Sequence, residues 1–310
     1  MPKLRPESTI STGCVCWGFD LDHSMSKIFT RNFRSRFSEV DAFGRVGSAH
    51  ILRYFIETAW DWGASEDINL QQSQKLDLLW LVREMEFETY QPLRYDESFS
   101  ITLWMMEWRR VRGSRGFELH SAENNALLMR GVNQVALLDP ETLRPIPGPQ
   151  ELIDRFRLEN PQNIPYQRFP RFPEPPEGAY RTVCQVEWRD LDVYRHVNNA
   201  VYADYMEEAA MQALAEAGWP VARLLEAGLA VENRHFHIQF QEPALWGERL
   251  DILTWVSDLS ESGGQRWTAI TRQSNQAPIA AQRTTWQVSD LQSGAAQALP
   301  EELRRSLSRD

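Results

Sequence analysis

Two stretches of this chain copy one another at a constant spacing, and that copy limits the fold more than any other feature. Trp188 to Ala210, WRDLDVYRHVNNAVYADYMEEAA, is echoed by Ser38 to Trp60, SEVDAFGRVGSAHILRYFIETAW, and residues within the two spans pair at an offset of 151. The offset pairs Asp41 with Asp192, Val46 with Val197, Ala49 with Ala200, Tyr54 with Tyr205 and Glu57 with Glu208. It continues without a gap through Arg83/Arg234, Pro92/Pro243, Trp104/Trp255, Gly113/Gly264, Arg115/Arg266 and Asp139/Asp290. From Asp41 to Asp139 there are 18 identities in 99 positions, where ordinary residue usage gives roughly six. An internal repeat of this length means a duplicated domain.

The rest of the chain divides around the repeat. A length of 310 residues suits two domains, each able to bury a core. We expect an N-terminal extension over 1–28, a first domain over 29–150, a linker over 151–179, a second domain over 180–295 and a tail over 296–310. The linker holds Pro161, Pro165, Pro170, Pro173, Pro175 and Pro176, which predicts an extended crossover rather than a helix or inner strand. In each half a leading strand, Lys27 to Phe37 and Tyr180 to Trp188, is followed by a turn and one long helix, Asp41 to Gly63 in the first, and then by aromatic and β-branched stretches that read as about four antiparallel strands. The fold class is therefore α+β, with a helix covering the buried face of an antiparallel sheet.

Several function classes lose their support at this level. A formal charge of −10 opposes general nucleic-acid binding. No apolar run reaches the roughly 20 residues of a membrane span, and the first residues lack a secretory h-region. Cys14, Cys16 and Cys184 make neither a disulfide framework nor a four-ligand zinc set, so a reducing cytoplasm is the expected setting. No Gly-rich phosphate loop, Gly-x-Ser-x-Gly elbow or metal-spaced cluster is present, and no cofactor is expected.

Chemistry concentrates in the second copy. Val197, Val201, Tyr205 and Ala209 fall at helical spacing, which places Asn198 and Asn199 where an N-cap belongs. Asp192 and His196 then stand just outside a helix N-terminus, whose unpaired N–H groups can hold a carbonyl oxygen or an oxyanion. The first copy keeps Asp41 but has Arg45 where the second has His196, so one working site is expected, in the second half.

A helix wrapped by an antiparallel sheet, with an acid in the loop before it, resembles the hotdog fold, and two copies resemble a double hotdog. More narrowly, RDLDVYRHVNNAVY resembles the DLD-x-x-x-HVNN signature of the acyl-acyl carrier protein thioesterases. The order and spacing of FTRNFRSRFSEVDAFGRVG and LWLVREMEF extend the resemblance over roughly residues 28 to 290. The resemblance implies a thioester hydrolase that releases a fatty acid from acyl carrier protein, with Asp192 and His196 catalytic and the first half binding the acyl chain. It also marks departures. The family's Asn between the Asp and the His is Tyr194 here, and its Glu-Cys pair falls on Pro243 and Ala244, leaving Glu242 one residue away as a possible substitute acid.

Without that cysteine, Asp192 remains available as nucleophile or as general base towards water. His196 can orient the water or polarise the carbonyl, and N–H groups near Asn198 to Ala200 can form the oxyanion hole. The first half is rich in Trp and Met: Trp60, Trp62, Trp80, Met85, Trp104, Met105, Met106 and Trp108. Of these, Trp104, Met106 and Met85 are the expected substrate contacts. Arg109, Arg110, Arg112 and Arg115 form the densest basic cluster, suited to an acidic carrier protein or the phosphates of coenzyme A. Two other functions stay open: an acyl-CoA thioesterase on the same fold, and a non-catalytic acyl-binding protein. The chain already contains a pseudo-dimer, which suits a monomer or a homodimer.

Overall fold

The structure, a computed structural model, describes residues 27–75, 78–142 and 144–308; the first 26 residues, with Cys14 and Cys16, lie outside them. The first half runs through β1 (Ile28–Arg34), α1 (Ser48–Ser65), α2 (Leu70–Lys75), β2 (Leu79–Thr89), β3 (Ser98–Arg109), β4 (Arg112–Ser121) and β5 (Leu127–Leu138). A short helix, α3 (Gln150–Phe156), leads into the crossover. The second half repeats the plan with β6 (Tyr180–Gln185), α4 (Asn199–Glu216), α5 (Val221–Glu226), β7 (Leu229–Phe240), β8 (Arg249–Ser257), β9 (Gly263–Arg272) and β10 (Pro278–Asp290), and α6 (Glu301–Leu307) follows. The repeat is kept residue for residue: α1 and α4 begin and end at equivalent positions.

The periodicities explain these elements. The buried residues of α1, among them Ile51, Leu52, Tyr54, Phe55, Thr58 and Trp62, recur three and four apart and form the stripe laid on the sheet. β1 and β6 alternate between exposed and half-buried residues, as edge strands with one solvated face do. Each half thus contributes five strands, a leading edge strand and the four that follow the helix.

The strands form one ten-stranded sheet in the order β1-β3-β4-β5-β2-β7-β10-β9-β8-β6. Its two half-sheets are joined where β2 pairs antiparallel with β7, and that pairing satisfies backbone groups that two separate sheets would leave as open edges. Glu86 stands opposite His237 in this register, and these two residues occupy the same repeat position. A pseudo-two-fold axis therefore passes between them. On the helix side, Arg53 Nη1 donates to Asp204 Oδ1 at 3.2 Å, again across residues 151 apart.

The crossover differs from the expected extended chain at its start. α3 forms ahead of the first proline and buries Leu152 and Phe156 in the core. Beyond it the chain lacks regular structure and crosses the other face of the sheet, where two glutamates of β2 hold it. The Gln167 amide donates to Glu86 at 3.1 Å and the Phe169 amide donates to Glu84 at 3.2 Å. The same carboxylates meet β7: His235 Nε2 lies 2.8 Å from Glu86 Oε1, and Gln239 Nε2 donates to Glu84 at 2.9 Å.

Burial by itself raises both carboxyls. Hydrogen bonds from His237, Gln239 and Phe169 on Glu84, and from His235 and Gln167 on Glu86, outweigh it and hold both below the ordinary glutamate value. A depressed folded-state pKa stabilises the fold above the unfolded value, and that contribution is lost as pH falls through the folded one. Replacing Glu84 and Glu86 together by Gln is therefore expected to cost about 1–3 kcal/mol at pH 7. It should also flatten the loss of thermal stability below about pH 4.5. An acid limb identical to that of the parent protein would contradict this latch.

Candidate active site

The loop before α4 is shaped by Asp192. Its Oδ1 accepts the Tyr194 amide at 2.9 Å, its backbone N–H donates to His196 O at 3.0 Å, and its backbone oxygen accepts the Arg195 amide at 2.9 Å. The turn needs a left-handed residue at its tip, and Arg195 takes it with φ 66°, where the first copy has Gly44 at φ 74°. Asn198 then caps α4, its Oδ1 accepting the Ala200 amide at 2.9 Å, while Val201 N–H donates to Asn198 O. Neither of these cap bonds uses the Asn199 amide.

This packing brings the predicted pair together. His196 Nδ1 lies 3.6 Å from Asp192 Oδ2 and 3.2 Å from Val197 O. Burial pushes the Asp192 carboxyl above its ordinary value, although the facing His196 and N–H bonds from Tyr194 and His196 pull the other way. Tyr194, at the family's Asn position, stacks on His196 with centroids 6.0 Å apart and on Trp60 of α1 at 6.4 Å. Its hydroxyl is buried without a hydrogen-bond partner, and burial raises its pKa.

Asp192, His196, Asn198 and Asn199 line a cavity of about 590 Å³ whose other walls are mostly apolar. Those walls come from the first half: Phe55, Trp60 and Trp62 of α1, Trp80 of β2, Met105 of β3 and Phe156 of α3. Arg115 also turns into it, donating from Nε and Nη2 to Asn133 Oδ1 at 3.1 and 2.5 Å with its guanidinium 5.4 Å from the Phe55 ring. Burial lowers its pKa to about 10.

Other predicted residues lie elsewhere. Trp104 and Met106 sit in a separate cluster with Val132 and Ile164 of the crossover, and Trp104 Nε1 donates to Gln162 O at 2.7 Å. Strand alternation sends Met105 to the cavity and its two neighbours to the opposite face. Met85 is buried in the main core and does not reach the cavity walls. Glu242 is half exposed and bonded to Arg272 at 2.8 Å, which also holds Glu248 and Pro243 O. Ala244, at the family's Cys position, is fully buried beside the loop, its oxygen accepting the Val197 amide at 3.0 Å. The basic cluster divides: Arg109 is exposed and paired with Glu107, whereas Arg115 is interior.

The first copy keeps the loop but not the pair. Asp41 Oδ1 accepts the amides of Phe43 and Arg45 at 2.8 and 3.0 Å. Arg45 is drawn into a buried ion pair with Glu232 at 2.5 Å, and Ser289 bonds both partners. A second cavity of about 520 Å³ adjoins this loop. Among the described residues, no group of three or more His, Cys, Asp or Glu side chains is placed to hold a metal ion. No helix among them is long and apolar enough to cross a membrane.

Residues 26–156 match the model of the acyl-ACP thioesterase N-terminal domain, and residues 186–307 match the thioesterase-like superfamily. The chain is 20% identical over 270 residues to the chloroplastic acyl-[acyl-carrier-protein] hydrolase FATB2 of Cuphea viscosissima, an alignment covering 84% of this chain and 62% of that one. It is 30% identical over 130 residues to the long-chain acyl-CoA thioesterase FadM of Escherichia coli, covering 41% of this chain and 96% of FadM. The chain thus spans less than two thirds of the length of its plant relatives. The fold matches that of the 12:0-ACP thioesterase from Umbellularia californica with TM-score 0.69 and 18% identity, over 85% of this chain and 98% of that one. An acyl-ACP thioesterase from Bacteroides thetaiotaomicron gives TM-score 0.69 and 14% identity, over 84% and 98% of the two chains. With the duplicated helix-on-sheet architecture, the HVNN loop and both family matches in order along the sequence, the chain belongs to the acyl-ACP thioesterase family and has its double hotdog fold.

Proposed function

We propose that the protein hydrolyses an acyl thioester, releasing a fatty acid from acyl carrier protein, at a single site built on Asp192. The observation that carries this reading is the Asp192–His196 pair at the N-terminus of α4, on the wall of an apolar cavity. The thioester carbonyl lies against the Asn199 amide, where the helix end favours a developing oxyanion. Asp192 takes a proton from a water as that water's oxygen attacks the carbonyl carbon. His196 orients the water. Collapse of the tetrahedral intermediate breaks the C–S bond and expels a thiolate, which a thiol pKa of roughly 8.5 makes a good leaving group. The thiolate takes up the proton held by Asp192, which restores the carboxylate, and the released carboxylic acid gives its own proton to solvent. Ala244 supplies no nucleophile, so base catalysis by Asp192 is favoured over a cysteine route.

The walls of Phe55, Trp60, Trp62 and Trp80 support an acyl chain as the bound group. Coenzyme A is the alternative carrier, favoured by the likeness of 130 residues of the chain to FadM. Release of free thiol from acyl-ACP and acyl-CoA pairs of equal chain length separates the two. A reducing cytoplasm suits the lone described cysteine, Cys184, whose half-buried thiol is raised to about 11 by burial and the nearby Asp190.

Asp192→Asn is expected to lower kcat at least about a hundredfold, about 2.7 kcal/mol of barrier, with Glu242→Gln staying within about threefold. An Asp192→Asn enzyme with full activity would remove the site from this loop. Because Asp192 acts ionised, kcat should rise with pH through an apparent pKa above 3.8. A rate–pH profile flat from pH 4 to 7 would contradict that role. Trp80→Ala is expected to raise KM several-fold, whereas Trp104→Ala costs roughly 3 kcal/mol of stability and leaves KM within about twofold. Steady-state kinetics together with thermal melts read both outcomes.

A further inference from the structure

The two cavities are repeat images, and one substitution between them bears on which is usable. In the first half the cap position of α1 is Gly47, which has no side chain to engage the helix amides. A side chain from the other half does so instead. Glu207 of α4 reaches across, and its Oε1 accepts the Ser48 amide at 2.9 Å. A Cβ on residue 47 would lie 3.1 Å from Glu207 Oε2, so the glycine permits this close approach. Asn233 Nδ2 donates to Ser48 Oγ at 3.1 Å and steadies the same helix end.

The second half has a different set of residues at each of these places. The repeat pairs Gly47 with Asn198, Ser48 with Asn199, Asn233 with Val82 and Glu207 with Ile56. Ile56 lines the 590 Å³ cavity and offers no acceptor to the Asn199 amide. The first-half helix end therefore holds a carboxylate of the chain itself, and the second-half end faces an open apolar space.

We infer that Glu207 is an internal stand-in for the acyl carboxylate: it occupies the first half's oxyanion position and confines acyl binding to the cavity at the Asp192 loop. The inference rests on the function proposed above. The Ser48 amide is already donated to Glu207 Oε1, so an incoming oxyanion finds that donor taken. Burial and the neighbouring Asp204 and Asp41 raise the Glu207 carboxyl to about 7, against the bonds from Ser48. The first-half cavity, at 520 Å³, has room for an acyl chain among Ile51, Met129, Met206 and Leu214 once its helix end is vacated.

The test is calorimetric titration of the full chain with dodecanoate below its micellar concentration. The parent protein is expected to bind one equivalent and Glu207→Ile two. Glu207→Gln should stay at one, since its amide oxygen still accepts the Ser48 N–H. Thermal melts confirm folding, and Glu207→Ala replaces the isoleucine variant if that variant does not fold. Two equivalents on the parent protein, or a vacating variant that gains none, would overturn the inference. Absence of binding to the parent protein would instead count against the proposed function, and a site gained in the vacating variant would still decide the role of Glu207.

Discussion

The antiparallel pairing of β2 with β7 is the contact on which the rest of the molecule depends. It makes two half-sheets into one and sets Glu86 against His237 on a pseudo-two-fold axis. It also lays α1 beside α4, with Arg53 and Asp204 bonded across the same axis. Each half's loop therefore opens against the other half's helix. The Asp192 loop meets Trp60 of α1, and the Asp41 loop meets Glu207 of α4. Neither half alone could build the 590 Å³ cavity, because its polar end and its apolar walls come from different copies.

Duplication left two equivalent sites, and divergence at a few repeat positions gave them opposite characters. His196 faces Asp192 across 3.6 Å and stays half-buried at a cavity wall, whereas Arg45 is withdrawn into an ion pair with Glu232. Leu81 and Val82 line the 590 Å³ cavity where Glu232 and Asn233 line its image. A buried ion pair is costly unless its lone pairs are satisfied, and Ser289 helps to meet that need here. The first half thus has an internal polar network where the second has an apolar wall.

Much of this was legible in the sequence, for physical reasons. A gap-free repeat fixed the architecture, since the same spacing of apolar residues folds twice into the same helix and strands. The acid, histidine and asparagines were visible because they cluster within a single loop, where neighbours in sequence are neighbours in space. The cavity walls were harder to read. Trp104, Met105 and Met106 are all buried, and only the faces of the folded sheet distinguish Met105, in the cavity, from Trp104 and Met106, under the crossover. Glu242 resembled a substitute acid by position, yet Arg272 holds it at the strand end. The contrast of Ile56 with Glu207 was present in the repeat alignment, but its meaning needed the approach of α4 to the α1 N-terminus.

The most direct test of a single site on Asp192 is a crystal structure with a non-hydrolysable ketone analogue of an acyl-pantetheine thioester. The ketone oxygen is expected within about 3 Å of the Asn199 amide, with the carbonyl carbon facing Asp192 and the chain among Trp60, Trp62 and Trp80. A ketone seated at the Ser48 amide in the first half, or a chain lying against Trp104 and Met106 beneath the crossover, would contradict it.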